Sequence, residues 1–193
     1  MHIAPQSEGD YWLISDPILD KKVKVLTDLR SYKLMEREEG KEGEFMTIKN
    51  RKGKKLLVWA IVGVETIGIR YVNQLSKKVE SQGLDGGIII SNGKYTYSAR
   101  SNAPKRGVEL IPPTFPSFNI FEHYLVPKHE ILSPEEKEDV LKKYRVEPYQ
   151  FPLIKTSDPI AKVIGARFGD LIRIVRQSPT AGEYVSYRYV VEG

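Results

Sequence analysis

The sequence predicts a mixed chain of two domains: a layered α/β domain over residues 1–118 and a small α+β domain over residues 119–193 that closes on a β-hairpin. Three observations carry this. Two nearly continuous apolar runs, Leu57 to Val64 and Gly86 to Ser91, flank a stretch with helical spacing, as central strands joined by a helix should. Pro112, Pro113 and Pro116 then break the pattern and place a boundary at about 114–122. Finally, Leu171 to Arg176 and Tyr184 to Val191 alternate with period two around a Ser-Pro and Gly turn. A length of 193 residues suits one ordinary domain or two small ones.

In order, Asp16-Pro17 is a cap followed by proline at the first helical position, and the apolar spacing after it predicts a helix from Pro17 to about Leu34. Glu36 to Glu44, charged and glycine-containing, reads as a loop. Phe45 to Lys49 and Leu56 to Gly63 read as strands of a hairpin whose turn is NRKGKK. Ile67, Tyr71, Leu75 and Val79 mark one face of a helix over 67–82, stopped at Gly83. Asn92 to Gly107 reads as a polar loop, and Val108 to Ile111 as one more strand. In the second domain Ser133-Pro134-Glu135-Glu136 opens a helix running to about Tyr144. Phe151 to Ile154 is a short strand, and Asp158-Pro159 repeats the cap-plus-proline device for a helix ending at Gly165. In the closing hairpin the arginines are expected to point off the core face.

Composition excludes several classes. With no cysteine there is neither a disulfide nor a thiolate metal site. No apolar run is long enough for a membrane span, and the first residues lack a basic, apolar leader, so a cytoplasmic protein without a membrane partner, or a nuclear one by association, is expected. Net charge is +5, compatible with a solvated surface or with a polyanionic partner.

The layered domain invites comparison with metal-dependent nucleases of the restriction-enzyme type, which need a carboxylate on one strand and E-x-K on the next. Here Trp59, Ala60 and Ile61 stand where such ligands are required, and Glu65 is followed two residues on by Ile67 rather than lysine. No hydrolytic site, metal, cofactor or small-molecule substrate is therefore expected. His123 and His129 read as connector residues, since their spacing matches no common metal site. Lys94, Arg100, Lys105 and Arg106 share one stretch with no acid, alongside Thr96 and Ser98. These are suitable parts for phosphate contacts, although a solvated loop is the simpler local reading. Four such contacts would give a slope of log K on log salt of roughly −3.6.

The closing stretch FGDLIRIVRQSPTAGEYVSYRYVV, with HYLVPKHEILSPEE, KKY and FPLIKTSDPIAKVIG upstream, resembles the end of the fifth, shared subunit of the eukaryotic nuclear RNA polymerases and of its small archaeal counterpart, the Rpb-five family. Upstream, VGVETIGIRYVNQL, GGIIIS and a T-x-S-A segment resemble the jaw domain of the eukaryotic subunit. The resemblance implies a non-catalytic polymerase subunit. Its nuclease-like jaw would meet downstream double-stranded DNA through Lys94, Thr96, Ser98, Ala99, Arg100, Lys105 and Arg106, without reading bases. Its assembly domain would dock on the largest subunit through Asp158, Pro159, Arg176, Ser178, Thr180, Gly182, Tyr187 and Arg188. Of these, Asp158, Pro159 and Gly182 serve equally well as cap and turn residues. A jaw joined to an archaeal-type end points to a jaw-bearing archaeal lineage or to a virus with its own polymerase, the first preferred. The alternatives are a free-standing DNA-binding regulator built on the same assembly fold, and an active nuclease.

Overall fold

The computed structural model describes residues 14–178 and 182–193. The chain divides into two compact units, the first ending at Phe118 and the second spanning Asn119–Gly193.

In the first unit α1 (Pro17–Leu29) is capped by Asp16, whose carboxylate accepts from the backbone N–H of Ile18 at 2.9 Å and of Leu19 at 3.2 Å. The helix stops five residues short of the expected Leu34. Arg30 turns into a two-pronged pair with Glu109 at 2.8 and 3.0 Å, and Ser31 takes a positive φ of 51°. Strand β1 (Lys33–Gly40) follows at once and turns into β2 (Gly43–Lys49), so the charged stretch 36–44 is a hairpin and not a loop. A charged sequence can be a strand here because β1 is the edge of the sheet and its side chains are mostly exposed. Gly43 is required at the turn: its φ is +129°, and a Cβ would sit 1.9 Å from the Ala60 carbonyl oxygen.

Next come β3 (Lys55–Ile61), β4 (Thr66–Ile67), α2 (Ile69–Ser81) and β5 (Gly86–Ser91). Stretch 92–107 also departs from expectation. It forms β6 (Lys94–Tyr95), α3 (Tyr97–Asn102) and a one-turn 3-10 helix (Pro104–Arg106) before β7 (Val108–Ile111). Strands β4 and β6 pair in parallel, which delays the start of α2 by two residues.

The main sheet has the order β1-β2-β3-β5-β7, antiparallel from β1 to β3 and parallel from β3 to β7. Phe45, Leu57, Trp59, Ile61 and Ile89 face α2 and pack with Tyr71, Val72, Leu75 and Val79. Met46, Ile48, Val58, Ile88 and Ile90 occupy the opposite face, which α1 covers with Leu19, Val23 and Leu26.

The second unit holds β8 (Lys128–Ile131), α4 (Pro134–Tyr144), β9 (Leu153–Lys155), α5 (Pro159–Ile164), β10 (Leu171–Ser178) and β11 (Gly182–Val191). Ser133 and Glu136 form a reciprocal capping box on α4, with bonds of 3.2 and 2.9 Å. The sheet order is β8-β10-β11-β9, with β9 parallel to β11. On one face Ile172, Ile174, Val190 and Ile154 pack with Ala161 of α5. On the other, Tyr187 meets Tyr144 at 5.7 Å and Phe151 at 5.9 Å between ring centroids.

Candidate nucleic-acid and assembly surfaces

Where a nuclease of this layered type would hold its metal, the strands carry apolar side chains locked in the core. Trp59, Ala60 and Ile61 are at most 1 % exposed, and Trp59 is wedged between Phe45 at 4.7 Å and Tyr71 at 5.5 Å. Glu44, opposite Ala60 in the ladder, is buried and paired with Arg37. Beyond the C-terminal ends of β3 and β5 lies a cleft of about 590 Å³ that includes Asp16, Glu65, Asn92 and Lys94. Open α/β sheets bind ligands at such ends. Here the polar groups are largely consumed in joining α1 to the sheet. Asn92 donates to Asp16 Oδ2 at 2.7 Å and accepts from Lys22 Nζ at 2.8 Å, and Lys22 also donates to the Pro113 carbonyl at 2.6 Å. Burial lowers the Lys22 pKa, against the attraction of Asp16.

The basic segment expected to form one loop is spread along the length of the sheet. Lys94 is exposed at the C-terminal end of β5. Thr96 caps α3, its hydroxyl accepting from the Ala99 N–H at 3.2 Å, while Ser98 and Arg100 are exposed. Ala99 is fully buried in the α2-side core, so it seats the helix and offers no side chain to a ligand. Lys105 and Arg106 lie beside Gly107, whose carbonyl accepts from Gly87 at the start of β5. They therefore stand at the other end of a six-residue strand, about 17 Å from the Lys94 end at 3.3 Å per residue.

In the second unit the hairpin register corrects the expected direction of the arginines. Arg188 lies opposite Ile172, and Arg176 opposite Tyr184, so both share the parity of Ile172, Ile174 and Val190 and point to the α5 side, beyond the small core. Arg176 is exposed, and Arg188 donates to the Leu153 carbonyl at 3.2 Å. His129, opposite Ile174, lies near them, with its Nδ1 2.7 Å from the Pro127 carbonyl oxygen. Burial lowers its pKa, and the charges of Arg176 and Arg188 act in the same direction, against Asp158. Asp158 caps α5 by accepting from Ile160 N–H at 2.8 Å and Ala161 N–H at 3.3 Å, with Pro159 at the first position. Gly182 has φ +71° with open space where a Cβ would be. Ser178 ends β10, and Thr180 lies outside the described residues. Arg173, on the opposite face, donates to Glu130 at 2.6 and 3.1 Å. A groove of about 940 Å³ is lined by Tyr124, Leu125, Lys128, Arg173, Val175 and Val185 among others.

Sequence reasoning passed over the Glu44–Arg37 pair, the Lys22 network and the aromatic trio of Tyr144, Phe151 and Tyr187. Only the last had a signal, three aromatic residues inside recognised segments.

The described chain thus joins a layered α/β unit with buried apolar strand ends to a small unit that exposes several aromatic and charged side chains. Residues 118–190 match the family of the RNA polymerase Rpb5 C-terminal domain, and residues 29–113 match a restriction endonuclease family. DNA-directed RNA polymerase subunit Rpo5 of Pyrococcus abyssi is 61 % identical over 75 residues, 39 % of this chain and 92 % of that one. DNA-directed RNA polymerases I, II, and III subunit RPABC1 of Caenorhabditis elegans is 36 % identical over 129 residues, 65 % of this chain and 61 % of that one, so the similarity reaches into the first unit. A solved repair endonuclease from Pyrococcus abyssi aligns with a TM-score of 0.37 and 15 % identity, over 58 % of this chain and 50 % of its own. The chain belongs to the Rpb5 (Rpo5) family of RNA polymerase subunits.

Proposed function

We propose that this protein is a non-catalytic subunit of DNA-directed RNA polymerase, with a C-terminal unit that docks on the largest subunit and an N-terminal jaw that grips downstream duplex DNA by its phosphates. Family membership supports the assembly role. The observation that carries the non-catalytic part is the burial of Trp59, Ala60 and Ile61 where a nuclease needs metal ligands. Arg176 and Arg188 are the docking residues: guanidinium groups on a sheet face pair with carboxylates or carbonyls in two-pronged fashion. On the jaw, Lys94, exposed beyond the C-terminal end of β5, and Ser98 and Arg100, exposed on the α3 helix that follows it, meet phosphates, with Thr96 and Ala99 holding the helix that presents Arg100.

Arg176→Glu tests the docking role. The isolated variant stays folded, because the residue is exposed, but no longer co-purifies with polymerase. Normal co-purification would overturn the assignment. Incubating the wild-type chain with supercoiled plasmid and Mg²⁺ leaves the plasmid intact; nicking that depends on the chain would overturn the non-catalytic reading.

A further inference from the structure

We infer that the N-terminal rim of the five-stranded sheet is a second phosphate-binding surface, built on the β2–β3 turn and suited to the backbone of duplex DNA, separate from the Lys94 end. The segment Lys49 to Lys55 reads KNRKGKK, five cations in seven residues with no acid. Folding brings more charge to it. Lys33 at the start of β1 is opposite Lys49, which is in turn opposite Lys55. Lys105 and Arg106 reach the same rim from the far side, through Gly107 beside Gly87. Lys33, Lys49, Arg51, Lys52, Lys54, Lys55, Lys105 and Arg106 are all at least partly exposed, and none has a carboxylate partner among the described residues. Asp85 adjoins the segment, its carboxylate accepting from the Lys55 backbone N–H at 2.8 Å.

Three features separate this rim from an ordinary solvated charge run. Like charges directly opposite one another in a ladder destabilise it, and here two consecutive cross-strand pairs, Lys33–Lys49 and Lys49–Lys55, are lysine on lysine. The turn is also held in shape. Asn50 Oδ1 accepts from the N–H groups of Lys52 at 3.0 Å and Lys54 at 2.9 Å, Gly53 takes φ +82°, and Arg51 bonds the Ser31 hydroxyl. The cations are thus presented on a fixed loop, which lowers the ordering cost of binding. Finally, five strands at about 4.8 Å give a rim of about 19 Å, comparable to about six base steps along a duplex axis at 3.4 Å each. The large exposed apolar side chains of the described residues lie outside the rim segments, so the stacking platforms that single strands use are missing there.

The test is fluorescence anisotropy of the full chain with a labelled duplex of about 20 base pairs and arbitrary sequence, between about 50 and 200 mM salt. The triple variant Arg51→Gln, Lys52→Gln, Lys54→Gln removes three contacts and makes the slope of log K on log salt shallower by about 2.7. Its loss of affinity across that fourfold salt range is therefore about 40-fold smaller than that of the wild type. Its thermal midpoint falls little, since all three side chains are exposed and the one hydrogen bond lost, from Arg51 to the Ser31 hydroxyl, is itself exposed, while the Asn50 bonds that shape the turn go to backbone N–H groups and remain. Lys94→Gln with Arg100→Gln reports the opposite end separately, so failure of the jaw contact proposed above is distinguishable from failure of this one. Wild-type affinity and slope in the triple variant would overturn the inference, as would a wild-type chain that does not bind the duplex at the lowest salt.

Discussion

The two units of the chain bury their apolar residues differently. In the first, both faces of the sheet are covered, and most of the large fully buried side chains of the described chain, Trp59, Leu19 and Ile111 among them, belong to it. In the second, the core is a handful of residues around Ile172, Ile174 and Val190, while Tyr124, Leu125, Tyr149, Leu153, Phe168 and Tyr184 are exposed. A unit spanning only Asn119–Gly193 that leaves this much apolar surface in water has contact surface to offer a partner. The first unit is organised around its own interior, with charge concentrated on its rims. The first unit is thus closed around its own core, whereas the second leaves large aromatic and aliphatic side chains exposed.

The contrast is most severely tested at Trp59. Trp59→Ala removes the centre of the aromatic stack and costs about 3–5 kcal/mol. Calorimetry is expected to show the transition of the first unit lowered and that of the second unchanged; a shift of both would show that the units do not unfold separately. A smaller effect is expected from Asp158→Ala, about 1 kcal/mol confined to the second unit, through loss of the α5 cap. Urea denaturation followed by tyrosine fluorescence measures it.

The smallest effect is at Glu130. Hydrogen bonds from Lys128 and Arg173 hold its carboxyl below the usual carboxylate range, against burial. Because the folded pKa is depressed, the stabilisation is fully present above the ordinary carboxylate value and is lost as pH falls through the folded one. Glu130→Gln is expected to cost about 0.2–1 kcal/mol at neutral pH, the range of exposed ion pairs, and nothing once the wild-type carboxylate is protonated. A pH series of thermal midpoints checks this, and a difference that grows towards acid would contradict it.

Sequence patterns reached the elements that rest on local signals. Asp16, Ser133 and Asp158 are cap residues whose side chains bond the N–H groups expected of them. Period two placed β10 and β11, and continuous apolar runs placed β3 and β5. What escaped was decided by distant partners. Strand β1 has the composition of a loop and exists because β2 pairs with it at an edge that tolerates charge. The stretch 92–107 is polar in sequence, yet Ala99 and Ala103 anchor it to the core through α2. The basic residues of the candidate site were visible one by one, but their division between two ends of the sheet depends on strand direction, which no local spacing reveals. In the same way the lysines of the β2–β3 turn read as turn residues until the register set Lys33, Lys49 and Lys55 side by side.

The proposed role stands or falls with membership of a working polymerase. Affinity purification of the tagged full chain from its native cell, with the captured proteins identified and quantified, is the decisive experiment. The largest polymerase subunit is expected at a one-to-one ratio with the chain, together with the remaining subunits. Recovery of the chain alone, with polymerase purified from the same cells free of it, would refute the proposed role.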